Sequence, residues 1–369
     1  LTIAVVVFVA LRAGDAAAYP QFQLSTGADR CQACHVSPAG GGLINDYGRS
    51  EAGDTISRGG DGAFLHGLWE PPSWLGLGGD YRGAGAIKVS DDDRELLAFP
   101  MQVDLYTRVE LRGVSFNLIA GLRGGARDPQ PPLVERLVSR EHYLMYQRDG
   151  AHYVRAGRFF PTFGLRSQDH TAFVRRYLGF HTLEEPYGIA AGTFGATWEA
   201  HVSAFVPRPV DLLGAGVKAK GAAAYYERRL LDDTLALAAQ TRLAMSTADT
   251  RIAVGGIAKR WFADAGVLVM AELDLQRQSF SDPFGATRYQ LAGYLGASKT
   301  ITRGVMVGAA LQRWQPDLSL RSSRDAFELN VQYFPIAHVE LHLLTRLSAE
   351  GNDLADPGVL SMLQLHYYP

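Results

Sequence analysis

The feature that most constrains this chain is a two-residue alternation of apolar and polar side chains, renewed segment after segment from about residue 98 to the end. Between positions 101 and 111 the odd residues are Met101, Val103, Leu105, Thr107, Val109 and Leu111, and the even ones are Gln102, Asp104, Tyr106, Arg108 and Glu110. Successive side chains of a strand point to opposite faces, so this run reads as a strand with one apolar and one charged face. Residues 235–243, 267–276, 327–333, 338–347 and 363–368 repeat the pattern. A soluble β-sandwich alternates too, and length separates the two readings. Many runs here last about 9–14 residues, against about 5–6 in ordinary soluble strands, and suit tilted membrane crossings.

A strand facing lipid cannot leave its backbone edge unpaired, so many such strands imply a closed barrel. Alternating runs fall near 75–88, 98–111, 113–124, 140–148, 151–160, 187–198, 200–207, 212–227, 232–246, 250–263, 265–279, 286–299, 302–315, 323–335, 337–349 and 358–368. Arg112-Gly113, Asp149-Gly150 and Asp232-Asp233 supply tight turns between several of them. The expected fold is all-β: a transmembrane antiparallel β-barrel of about sixteen strands over residues 74–369, with a short N-terminal segment before it. Composition agrees, with 40 Gly, 16 Tyr and 17 Phe, and a net charge of -2 offers no basic stripe for nucleic acid.

Residues 1–10 are apolar but too few to cross a bilayer as a helix, which takes about 20. Ala16-Ala17-Ala18 follows, so residues 1–18 read as an export signal cleaved before Tyr19. A hydrophobic N-terminal strand is the competing reading, and it accounts less well for the small-residue step. Both cysteines of the chain lie soon after, in Cys31-Gln32-Ala33-Cys34-His35. In an exported protein this spacing suits two thioether bonds to one haem c, with His35 as proximal ligand of the iron. A redox-active dithiol is the rival. It would sit at a helix start after a buried strand, whereas here Pro38 and Gly40-Gly41-Gly42 break any long helix. His66 is the leading candidate for the second iron ligand, with His170 and His181 behind it; Met101 is discounted because its register faces lipid. Arg49 is a candidate partner for a haem propionate, and residues 19–73 form the haem segment and its linker.

If the odd face of the strands meets lipid, the lumen carries Asp104, Arg108, Glu110, Arg242, Glu272, Asp274, Glu328, Glu340 and Arg346. Both signs occur, which points to mutual pairing along the wall rather than strong ion selection. The connection at 160–187 is long and holds Phe163, Phe173, Tyr177 and Phe180 beside Arg166, Arg175 and Arg176. Folding inward as a plug would bury those rings and bring the arginines to luminal acids or haem propionates.

The haem pentapeptide, Ser37-Pro-Ala-Gly-Gly-Gly42, Asn45-Asp-Tyr-Gly-Arg49 and residues 157–166 with Asp169-His-Thr resemble bacterial outer-membrane porin-like proteins with an N-terminal monohaem cytochrome c segment. More distantly the arrangement is similar to porin–cytochrome electron conduits, which use several haems where this chain has one attachment motif. The resemblance implies Cys31, Cys34 and His35 as haem-binding residues and the outer membrane as location, with the haem segment at the periplasmic mouth or in the lumen. Two functions are then in view. One is single-electron transfer at or across the outer membrane, with a periplasmic or extracellular c-type cytochrome as partner. The other is a passive diffusion porin whose haem segment stabilises or gates a plug. An enzyme with an open iron site is a third, less favoured reading.

Overall fold

A computed structural model describes residues 22–24, 27–90, 93–123, 132–167, 169–181, 184–207, 219–282, 285–351 and 357–369. The expected export signal at 1–18 lies outside them. Sixteen strands form: β1 (Leu75–Ser90), β2 (Asp93–Leu111), β3 (Val114–Arg123), β4 (Leu137–Arg148), β5 (His152–Arg158), β6 (Tyr187–Gly195), β7 (Trp198–Val206) and β8 (Lys220–Leu230). The second half comprises β9 (Leu235–Met245), β10 (Asp249–Phe262), β11 (Val267–Phe280), β12 (Arg288–Thr302), β13 (Val305–Gln315), β14 (Arg324–Ile336), β15 (Val339–Glu350) and β16 (Gly358–Tyr367). Each pairs antiparallel with its neighbour in sequence. β1 also pairs with β16, from Tyr81 opposite Tyr367 to Val89 opposite Val359, and closes the barrel. Closure satisfies the backbone of every strand and leaves no open edge.

The alternation sets which face is which. On β9, Leu237, Ala239, Thr241 and Leu243 stand exposed on the outside while Ala236, Ala238, Gln240, Arg242 and Ala244 are buried within. β11 behaves alike: Leu273 and Leu275 face out, Glu272, Asp274 and Gln276 face in. Inward charges pair along the wall, as in Lys259–Glu227 at 2.7 Å, Arg346–Glu328 at 2.6 Å and Arg140–Asp104 at 2.6 Å.

The register shifts at several points, and the shifts on β2 and β4 change which residues face inward. Arg82 opposes Gln102 but Gly83 opposes Pro100, so Met101 is skipped and the outward positions of β2 change from even to odd. Proline tolerates such a site because a bulge needs no ladder hydrogen bond there. The second bulge skips Arg140 on β4, between Ser139 opposite Ala120 and Glu141 opposite Ile119, so Arg140 and Glu141 are both buried inside.

One end of the barrel carries tight turns. Arg112-Gly113, Asp149-Gly150 and Leu231-Asp232-Asp233 all have positive φ, the backbone that a right-twisted hairpin demands. Longer connections lie at the other end, and the longest described one joins β5 to β6. No helix of the described residues is long and apolar enough to cross a membrane.

Residues 27–67 form a small folded unit at the tight-turn end. Its one-turn helix α1 (Cys31–Cys34) is followed by a bridge between His35 and Ile44, then by α2 (Asp46–Glu51) and a wider turn at Ala52–Ile56. Asn45 caps α2 by accepting from Gly48 N at 2.9 Å, and its amide donates to the Ala33 carbonyl at 2.9 Å. That one side chain ties the two short helices together.

Candidate functional site

The barrel interior is filled from two directions, and the chemistry-bearing residues lie where the fillings meet. From the tight-turn end, residues 27–67 dock against the turns between strands. Arg303, between β12 and β13, donates to the Ser57 carbonyl at 2.6 Å and to the Gly53 carbonyl at 2.8 Å. His338, between β14 and β15, places Nε2 at 2.9 Å from the Gly62 oxygen and 3.1 Å from that of Ala63. Gly62 has φ +71, and a Cβ there would overlap the Arg49 carbonyl, so this close approach requires glycine. Arg229 of β8 donates to the Asp29 carbonyl at 3.4 Å and pairs with the Asp29 carboxylate at 2.9 Å.

The β5–β6 connection, residues 159–186, packs against inward-facing side chains of the opposite wall. Leu165 N donates to Glu272 at 2.8 Å, Phe173 N to Gln312 at 2.8 Å, and Arg346 reaches Asp169 at 2.5 Å and Thr171 at 2.6 Å. Its apolar residues are buried with the wall: Phe163 with Phe205 and Ala223, Val174 and Leu178 with Ala292. The two segments touch at Arg166, which donates to the Pro38 carbonyl at 3.1 Å and to Glu199 of β7 at 3.0 Å. Between them remains a cavity of about 260 Å³. His35, Gly40–Leu43, Phe163–Ser167 and His170 border it, with Asp80, Arg82, Asp104, Arg140, Glu141 and Glu272 from the wall.

Cys31 and Cys34 lie in α1 and His35 follows it; of the three, His35 borders the cavity. Both cysteines are free. Burial raises the Cys31 thiol and pushes that of Cys34 up to about 12, with Glu51 the next contributor. Both sulfurs are therefore protonated at neutral pH and poor nucleophiles. Burial also lowers His35 to about 4, against the raising effect of hydrogen bonds to the backbone of Gly42 and Gly41. His170 is likewise lowered to about 4 by burial.

The expectation of one haem c with its iron is corrected. Among the described residues, no group of three or more His, Cys, Asp and Glu side chains comes together to hold a metal ion. His66, expected as second ligand beside His35, lies instead at the barrel rim. Its ring is 5.4 Å from that of His338 and stacks on Tyr367 at 6.1 Å. His170 and His181 face each other, ring centres 5.6 Å apart. Arg49 donates to the Leu77 carbonyl at 2.6 Å and lies over Phe64, not in a propionate pocket. The expectation rested on the spacing of Cys31, Cys34 and His35, and a haem would also have supplied a core to so short a segment. The barrel provides that core: Val36 and Leu43 are buried with Tyr106, Tyr143, Tyr153 and Phe159.

No protein-family model matches the chain, and no curated protein matches it by sequence. Solved structures do match by shape. Pseudomonas putida OprB is similar over 80% of this chain and 94% of its own, at 12% identity and a TM-score of 0.63. OmpT, an outer membrane protein of Vibrio cholerae, is similar in its trimer form over 80% and 99%, at 10% identity and a TM-score of 0.60. An anion-selective porin from Comamonas acidovorans covers 80% and 99%, at 10% identity and a TM-score of 0.55. At these identities the likeness is one of fold, and residues 75–369 have the sixteen-strand closed barrel of outer-membrane porins.

Proposed function

We propose that this chain is a passive diffusion porin of the bacterial outer membrane, its lumen narrowed by residues 27–67 and by the β5–β6 connection. The observation that carries the reading is the pairing of a lipid-suited outer face with a charged inner one around a residual cavity. Leu237, Leu243, Leu273, Leu275, Phe327 and Leu343 are exposed outward, where a soluble barrel would place polar groups. Inside, many acids and bases pair with one another, which favours passage of small solutes of either sign. The porin fold shared with proteins such as the anion-selective porin of Comamonas acidovorans supports the same reading. Single-electron transfer and the cytochrome partner it called for rested on the haem, and neither is carried forward.

The two luminal segments are the natural place for conductance to be set. Arg303 holds the first through two charge-assisted bonds, each worth about 1.5–3 kcal/mol. In planar lipid bilayers the full chain should show a small, fluctuating single-channel conductance. Arg303→Gln should lengthen and enlarge the open events. Absence of ion-conducting channels from both folded proteins would remove the porin reading.

A further inference from the structure

The bulge at Arg140 does more than shift a register. Because β4 gains a residue there, two consecutive side chains turn into the lumen, where a regular strand would turn one in and one out. Arg140 is 7% exposed; its Nε donates to Asp104 at 2.6 Å, while its Nη1 has no hydrogen-bond partner among the described residues. A buried guanidinium hydrogen left unpaired is unfavourable unless something answers it. Across the same cavity stands Arg175, carried by the β5–β6 connection. It donates to the carbonyls of Ser167 and Phe180 and lies over Phe160, 5.4 Å from the ring centre. Among the described residues no carboxylate forms an ion pair with it, although other luminal arginines such as Arg82, Arg158 and Arg346 each have one.

Most acids at the cavity are already engaged. Asp80 accepts two bonds from Arg82 and Glu272 accepts from Leu165 N and Gln240, whereas Asp104 accepts from Arg140 at Oδ2 and keeps Oδ1 without a hydrogen-bond partner among the described residues. The lining is mixed: Leu43, Ile44, Ile119, Phe163, Leu165 and Phe180 give it apolar walls, while His35, Gln102, Arg166 and His170 are among its further polar residues. A chamber that combines apolar walls with charged groups suits a small amphipathic solute, and about 260 Å³ is below the size that holds a drug-sized ligand.

We propose that this cavity binds a small carboxylic acid with an apolar body, its carboxylate received by Arg140 and Arg175 and its body by the leucine, isoleucine and phenylalanine walls. The inference rests on the porin reading in so far as it names the class of solute that dwells in the channel. Glu141, the other residue turned inward by the bulge, also keeps one oxygen unpartnered. A cationic ligand is therefore the rival to be separated.

The test is calorimetric titration of the folded full chain in detergent with benzoate, benzamide and benzylamine, which share a ring and differ in charge. Benzoate should bind saturably at one site per chain, at least tenfold more tightly than the other two. Arg140→Gln and Arg175→Gln should each weaken benzoate about tenfold and leave benzamide unchanged, with folding of each variant verified by heat-modifiable gel mobility. If either variant fails to fold, the ranking of the three probes on the unaltered chain still decides. Equal binding of benzoate and benzamide, preference for benzylamine, or no saturable benzoate binding overturns the proposal. Conductance measured on the same preparation keeps the two readings apart. Benzoate binding without channels upholds the site and removes the porin, whereas channels without benzoate binding do the reverse.

Discussion

Arg166 is the side chain on which both luminal segments and the barrel wall converge. It donates to Pro38 of the N-terminal unit, pairs with Glu199 of β7 and lies 4.9 Å from the ring centre of Tyr225. Glu199 is 1% exposed, and its other basic neighbour, His201, is 3.7 Å away. Removing one member of a buried ion pair strands the other charge, which destabilises by about 3–5 kcal/mol. Arg166→Met should therefore loosen the contact between the segments and speed hydrogen exchange of residues 31–44 by a hundredfold or more. Unchanged exchange there would mean that the two segments are held independently. At this scale the sequence was only partly legible. Cys31, Cys34 and His35 were visible as a spaced set, and Arg166 as a cation in need of an acid. The partners of Arg166 lie 33 positions away at Glu199 and 128 away at Pro38, and no local pattern announces that Arg303 or His338 will grip the backbone of residues 53–63. Gly62 gave no separate hint, because Gly59-Gly60-Asp61-Gly62 reads as an ordinary turn.

Among elements, strands were the most readable because their period follows from backbone geometry alone. All sixteen expected runs have a counterpart, most within three residues at each end. The larger departures have identifiable causes. β2 begins at Asp93 because pairing with β1 continues past the bulge at Met101, where the face inverts and the alternation seems to stop. β8 is described from Lys220, and the expected beginning at 212 lies outside the described residues. Residues 45–74 carry no sustained period, so they read as a coil; docking, not propensity, shapes them. That docking should depend on pH. Burial lowers the His338 pKa, and Arg49 and His66 push the same way against hydrogen bonds to Gly62 and Ala63. A histidine depressed when docked takes up its proton more readily when released. Docking should thus be strongest above the ordinary histidine value of 6.5 and weaken as pH falls below it. Hydrogen exchange of residues 59–66, corrected for its intrinsic pH dependence, should accelerate between pH 7 and 5, and His338→Asn should remove most of that change. The same acceleration in both proteins would assign the effect to another group.

For the whole molecule, the question is whether barrel and filling depend on each other equally. Every ladder pairing lies within residues 75–367, and the sheet closes without help from the N-terminal unit. The inward charges have wall partners of their own, such as Lys259 with Glu227 and Arg346 with Glu328, so water replacing the filling would strand few of them. The N-terminal unit is in the opposite position. Its helices are a turn or two long, far below the about 12–15 residues at which an isolated helix is even marginal in water, and its apolar residues are buried against strands. Barrel should therefore fold without filling, and filling should not fold without barrel. A chain lacking residues 22–70 should still show heat-modifiable mobility and a β-rich circular dichroism spectrum, with single-channel conductance several-fold above that of the full chain. The excised peptide should be unstructured alone and should lower that conductance when added from the tight-turn side. Loss of the heat-modifiable form would make the unit part of the barrel's folding core. A folded barrel of unchanged conductance would show that the β5–β6 connection alone sets the width of the pore.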